Sequence, residues 1–377
     1  MPILSFTEGS IAHSRPRIVI LSTFATPFRS GAEACSEEVA RELQPRFDMI
    51  ILTARLQRAL PKRDRLPGGV LLVRIGLGCR FDSLLFPLLA PFAARRFRPR
   101  IVHAVLESYA GLALILCRWI VPGARRLLTL QSTNARFLLS PIHRSPRAIT
   151  AISEALIRRA KQYGRNDVTL IPNGVSLALI QEACSRYPKR KGRILYVGRL
   201  EPMKGVDTLL RAFAMLMRLP QSHSGEETDL HIVGDGSQRC TLEFLACELG
   251  ILNRVRFLGY IAIPAVYAEF AQAEIFCGLS RSEALGNVFL EAQAAGCAVL
   301  ATRVGGIPEI IHDNETGILV APDDPPVAAA HLRALLDDAS LRTRLTEAGR
   351  TNAQRYDWKE IAERYGEVYE ALLVSLK

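Results

Sequence analysis

Short runs of branched apolar residues alternate with stretches of helical periodicity along most of the chain, and they do so in two consecutive series. The first series has runs at residues 17–22, 49–53, 70–75, 101–105, 127–130, 148–152 and 169–171, with a helical pattern over 31–43 after the first of them. The second has runs at 194–198, 230–234, 255–259, 275–277, 298–301 and 317–320. Alternation of this kind is what a parallel sheet covered by helices on both faces requires. Between the series lies Ser185-Arg-Tyr-Pro-Lys-Arg-Lys-Gly192, a basic stretch with a proline and no apolar period, which reads as a linker. The expected architecture is therefore two doubly wound α/β domains in tandem, residues 1–184 and 192–357. Residues 358–377 form an amphipathic helix with Ile361, Tyr365, Val368, Tyr369 and Leu372 at helical spacing, expected to pack back on the first domain. Residues 220–228 are polar and read as a surface loop. With 377 residues, 49% of them apolar, the chain is long enough for two cores.

Charge is divided unevenly between the halves. Residues 1–170 hold 26 Lys and Arg against 11 Asp and Glu, a balance of +15, whereas residues 171–377 hold 22 against 26, a balance of −4. A basic first half is either a solvated surface or a patch that attracts something anionic, a membrane leaflet or a nucleic acid. No nucleic-acid-binding motif is present, so nucleic acid is not the expected partner. The eight cysteines lack Cys-x-x-Cys spacing and form no zinc-ligand cluster with histidine, and they read as small buried apolar residues in a reducing compartment. The first residues show no basic start followed by an apolar run, so no signal peptide is expected. The longest apolar stretch, 110–117, is far short of the roughly 20 residues that span a bilayer. The expected location is the cytoplasm, with peripheral contact at the inner face of the membrane. The segment 81–98, apolar and then basic, suits such a surface, but Pro87 and Pro91 argue against one continuous helix, and a core helix is the plainer reading.

Open parallel sheets bind ligands beyond the carboxyl ends of their strands, so two such units face each other across a central cleft walled by strand-end loops. Four of these loops in the second unit carry candidate chemistry. In Val197-Gly-Arg-Leu-Glu-Pro-Met-Lys-Gly205, Gly198 permits a sharp turn, Arg199 and Lys204 supply cations, and a helix begins at Gly205. The combination suits a diphosphate, although the stretch alone is equally an ordinary turn with solvated charges. Val233-Gly-Asp-Gly-Ser237 has the glycines of a nucleotide-binding turn, or of any tight turn. The third loop runs from Ser280 to Gly296. Glu283 precedes a bend at Gly286, a helix starts near Asn287, and Glu291 lies one turn into it. The amides of Leu285, Gly286, Asn287 and Val288 point toward an anion, while two carboxylates in that setting suit sugar and ribose hydroxyls better than phosphate. The fourth, Val304-Gly-Gly-Ile-Pro-Glu309, either abuts the ligand or is a turn. In the first unit, Ser30-Gly31-Ala-Glu33 precedes a helix, His103 lies in the strand run 101–105, and Gln131 ends the run 127–130. His103 is carried as a catalytic candidate, although a lone histidine in an apolar strand is more often a core residue.

Together these loops resemble glycosyltransferase family 4, the retaining group-1 transferases of the GT-B fold. The resemblance rests on Gly31-Ala-Glu33, Ile171-Pro-Asn-Gly-Val175, the Gly-Arg-Leu…Lys-Gly segment ending at Gly205, the Glu283…Glu291 pair with seven residues between, and Val304–Glu309. It implies that Arg199 and Lys204 hold the diphosphate of a nucleotide-sugar donor and stabilise the leaving group. It further implies that Glu291 binds ribose, that Glu283 and Gln131 face the donor sugar, and that Gly198, Gly234 and residues around Gly259 flank the nucleotide. No cofactor and no metal are implied, and no Asp-x-Asp occurs in the chain. The partners implied are a nucleotide sugar (a UDP- or GDP-sugar) and a glycan or lipid-linked acceptor, in envelope polysaccharide synthesis. The sequence departs from the family at Gln131, where many members carry histidine, and at Ala284-Leu285, where Gly-Phe is frequent. Glutamine still bonds a hydroxyl but neither acts as a base nor carries charge. A sugar-nucleotide epimerase or a catalytically silent protein of the same fold are the alternative readings.

Overall fold

The computed structural model describes residues 15–28, 30–133, 138–218 and 228–374. The first unit is an eight-stranded sheet built from β1 (Arg17–Leu21), β2 (Asp48–Ala54), β3 (Arg63–Arg65), β4 (Leu71–Ile75), β5 (Ile101–Val105), β6 (Arg125–Leu130), β7 (Ala148–Ala151) and β8 (Val168–Leu170), in the order β3-β4-β2-β1-β5-β6-β7-β8. The second is six-stranded, from β9 (Arg190–Val197), β10 (Asp229–Val233), β11 (Val255–Gly259), β12 (Ala273–Gly278), β13 (Ala298–Thr302) and β14 (Ile318–Val320), in the order β11-β10-β9-β12-β13-β14. All pairings are parallel except β3 with β4. The central strands are buried along nearly their whole length, as expected of strands covered by helices on both faces.

The structure differs from the sequence reading in three respects. Strand β3 has no apolar signal: its three exposed residues, Arg-Asp-Arg, pair only at the sheet edge. The basic linker is shorter than its composition suggests. Helix Leu177–Arg186 takes its first residues and β9 its last, because Arg190 pairs with Ala273 and Lys189 Nζ donates to the carbonyls of Phe270 and Ala273. The cysteines also divide. Cys35, Cys117, Cys277 and Cys297 are buried, but Cys240 and Cys247 are exposed on helix Arg239–Glu248.

The chain returns to the first unit before its end. Val175 and Asp357 form a parallel bridge, and helix Trp358–Val374 lies against helix Gly31–Leu43, burying Ile361, Tyr365 and Tyr369 with Ile18, Ile20 and Leu43. Residues 82–96 form one continuous helix, Asp82–Arg96, in spite of Pro87 and Pro91. Asp82 starts it by accepting the amides of Leu77, Gly78 and Cys79. Its inner side, Phe86, Ala90 and Ala94, is buried, while its outer side is exposed, so it is not a core helix.

Candidate active site between the two domains

The carboxyl ends of both sheets converge on a cleft of about 740 Å³. From the first unit it is lined by Thr26, Pro27 and the start of helix Gly31–Leu43. From the second it is lined by Gly198, Arg199, Gly234, Asn287, Val288 and Glu291, with Tyr260 and Ile261 at one side. Contact across it is close. A Cβ at Gly31 would stand 3.1 Å from Nδ2 of Asn287. The helix start at Gly31 is shaped by Ser30 and Glu33, whose carboxylate accepts from the Ser30 backbone amide at 2.8 Å while the Ser30 side chain caps the first turn.

Local structure in the second unit fixes the cations and carboxylates. The hydroxyl of Tyr196 donates to the Arg199 carbonyl at 3.0 Å, and burial pushes its pKa well up, so it stays a donor and holds the turn at Gly198. The Arg199 side chain is exposed in the cleft with no hydrogen bond or ion pair among the described residues. Lys204 ends a one-turn helix, Pro202–Lys204, and its ammonium donates to Glu283 Oε2 at 2.5 Å. This pair joins the loop after β9 to the loop after β12. Arg281 reinforces the joint, donating to the Pro202 carbonyl, to both oxygens of Asp207 at 2.8 Å and to Asp323. Gly286 takes φ = +95°, which the bend into helix Asn287–Ala294 requires and which leaves room for the Phe289 ring. Leu285 is buried, so its contribution to the site is through its backbone. Asn287 and Val288, whose amides have no acceptor within the helix, stand at the cleft wall. Gly234 lines the cleft and its amide donates to the Gly259 carbonyl at 2.8 Å. The segment Val304–Glu309 is a buttress. The Gly306 amide donates to the Glu283 carbonyl, and Glu309 reaches the other unit, accepting from the Glu154 amide at 2.9 and 3.0 Å.

Four candidates sit otherwise than expected. His103 is 1% exposed, with Nδ1 bonded to the Tyr369 hydroxyl at 2.8 Å and Nε2 to Thr129 Oγ1 at 2.7 Å. Burial lowers its pKa to about 3, so it is a neutral core residue tying β5 to the C-terminal helix and not a catalyst. Along β5, Ile101, His103 and Val105 share the face toward that helix. Gln131 is 7% exposed and spends its amide on Asn173, accepting at 2.9 Å and donating at 3.0 Å. Lys204, Glu283 and Gln131 are not in the lining of the cleft itself, and the Lys204 and Glu283 side chains are mostly covered.

The structure adds Glu107, which the sequence did not single out. It is fully buried after β5, accepts the Gln131 and Ser132 amides and pairs with Arg159. Burial raises its pKa, and Arg159 and the amides oppose that. It fixes the strand end that carries Gln131. Its position just past a buried strand was the available signal. Asn173, inside the Ile171–Val175 motif, holds the Gln131 amide through two hydrogen bonds. Among the described residues no three His, Cys, Asp or Glu side chains gather as a metal-ligand cluster.

Two Rossmann-like units around a cleft that carries a cation-bearing turn, Glu291 and facing helix starts define a GT-B protein. The family model for glycosyl transferases group 1 matches residues 181–352 and that for glycosyltransferase family 4 matches 29–179. The two matches adjoin and cover most of the chain, which belongs to this glycosyltransferase family. It is 34% identical over 209 residues to a glycogen synthase of Mycobacterium tuberculosis, a match covering 55% of this chain and 49% of that one. It is 31% identical over 242 residues to a phosphatidyl-myo-inositol mannosyltransferase of Mycobacterium leprae, covering 63% of each. The chain thus spans about half to two thirds of the length of these relatives. The structure of Anabaena HepE in complex with UDP-glucose superposes with a TM-score of 0.76 at 19% identity, covering 94% of this chain and 99% of that one.

Proposed function

We propose that the chain transfers a sugar from a nucleoside-diphosphate sugar to a glycan or lipid-linked acceptor, with retention of anomeric configuration and without a metal. One observation carries this reading: Arg199, the start of helix Asn287–Ala294 and Glu291 face the start of helix Gly31–Leu43 across a single cleft, with the Lys204–Glu283 pair outside its lining. As the bond from the sugar to the diphosphate breaks, negative charge develops on the leaving phosphate. Arg199, Lys204 and the helix amides are fixed before the reaction and stabilise that charge without reorganising. Glu291 accepts from the ribose, Tyr260 and Ile261 flank the base, and Glu283 orients a donor-sugar hydroxyl while holding Lys204. Gln131, locked to Asn173 outside the cleft lining, carries no charge and acts by fixing its strand end. The complex of the structural relative with UDP-glucose supports a nucleotide-sugar donor, and the names of the curated relatives support glycan or lipid acceptors. A place in envelope polysaccharide synthesis, at the inner face of the membrane, fits this chemistry.

The test is turnover in excess chelator with UDP-, GDP- and ADP-sugars and a panel of acceptors, followed by proton NMR of the product. The reading expects nucleoside-diphosphate release that depends on the acceptor, undiminished by chelator, with the donor's anomeric configuration kept. An inverted product, or activity that vanishes with chelator, overturns it.

A further inference from the structure

Helix Asp82–Arg96 is apolar on both sides, and such a helix is normally covered on both sides. Here the inner side, with Phe86, Ala90 and Ala94, is buried, while most of the large apolar residues point outward: Leu84 is 54% exposed, Leu88 57% and Phe92 60%. Leu85 and Leu89 lie between them on the same stripe and are also exposed. The stripe continues past the start of the helix through Phe81 and Leu77, exposed by 71% and 72%. Single exposed apolar residues are ordinary, but a stripe of five along roughly two and a half turns of helix marks an interaction surface.

Charge decides what covers it. Between residues 66 and 153 the sequence holds twelve arginines, no lysine and two acidic residues, Asp82 and Glu107. Both acids are buried and hydrogen-bonded inside the protein, so neither projects charge from this face. Arg80 flanks the stripe at one end and Arg95 and Arg96 at the other, all exposed. An apolar stripe with exposed arginines at both ends complements an anionic lipid surface, where side chains enter the acyl boundary and arginines meet head groups. A second copy of the chain would bring the same arginines against each other. The start of the stripe is linked to the cleft. Leu77 follows β4 at the carboxyl edge of the sheet, and Arg74 of β4 donates to the carbonyl of Thr26, a cleft residue, at 2.9 Å.

We infer that the outer face of helix Asp82–Arg96, with the Leu77–Phe81 turn, is a docking surface for an anionic bilayer that brings the cleft mouth against the membrane. Among the described residues no helix is long and apolar enough to cross one, so the contact is peripheral. The inference does not depend on the identity of the donor. The test is cosedimentation of the full chain with vesicles of phosphatidylcholine alone and of phosphatidylcholine mixed with phosphatidylglycerol, at low and high salt. Binding to the mixed vesicles is expected to be at least about tenfold stronger than to neutral ones and to weaken with salt. The double variant Leu84→Glu, Leu88→Glu and the double variant Arg95→Gln, Arg96→Gln should each lose about tenfold or more in binding. These side chains stand clear of the core, and an unchanged melting temperature and unchanged nucleotide binding show that the variants are folded. Equal binding to both vesicles, no binding to either, or full binding by the glutamate variant overturns the inference. So does a wild-type dimer in sedimentation velocity that the glutamate variant dissociates, since the occupant is then a second copy.

Discussion

Lys204→Ala lowers the rate of donor turnover by roughly a hundred- to a thousandfold, the usual cost of removing one preorganised group that stabilises charge developing in the transition state. The effect has two sources. The ammonium no longer neutralises the leaving diphosphate, and Glu283 loses the partner that holds it at 2.5 Å. A carboxylate left alone beside the phosphates is then a repulsive charge. Lys204→Arg keeps the charge but replaces a compact ammonium with a planar fork, and should recover only part of the rate. Steady-state turnover measured beside the melting temperature separates the two contributions. A folded Lys204→Ala protein with near wild-type turnover would place leaving-group stabilisation on other residues.

Gly305→Ala, which alters no group that touches a ligand, should be nearly as damaging. Gly305 has φ = +55°, and a Cβ there would fall 1.8 Å from the backbone carbonyl oxygen of Glu283. Because the obstacle is backbone, it yields only if the loop after β12 moves. Left-handed backbone at a non-glycine residue costs about 1–3 kcal/mol before the clash is counted. For a unit of this size that lowers the melting temperature by roughly 3–10 °C. A displacement of the Glu283 loop by about 1 Å costs on the order of a hundredfold in rate. The control is Gly123→Ala, where an added Cβ meets nothing within 4 Å and the backbone is not left-handed. It should be neutral in both measurements.

These expectations mark where the sequence was legible. Buried parallel strands announce themselves because both faces are apolar, and every apolar run in the two series is a strand. The edge strand β3 could not be seen that way. Glu283, Gly286 and Glu291 were readable together because one bend and one helical turn bring them into place, so their geometry is local. What failed was long-range. His103 lies in a strand whose loop end faces the cleft, but its face of β5 is claimed by Tyr369, 266 residues later in the chain, and nothing near position 103 signals that. Gln131 similarly meets Asn173 across 42 residues. Helix Asp82–Arg96 misled for a different reason. A helix apolar all round gives no indication of which side is covered, so the sequence reads as core where the structure leaves four leucines and Phe92 outside.

The most direct test of the central claim, a nucleoside-diphosphate site in the cleft, is calorimetric titration of UDP, GDP and ADP into the protein in the presence of chelator, repeated with Arg199→Ala. Charge-assisted hydrogen bonds contribute about 1.5–3 kcal/mol, so the account predicts saturable one-site binding of at least one nucleotide, weakened roughly tenfold or more in the variant. Absence of binding by all three, or binding that Arg199→Ala leaves unchanged, would contradict it.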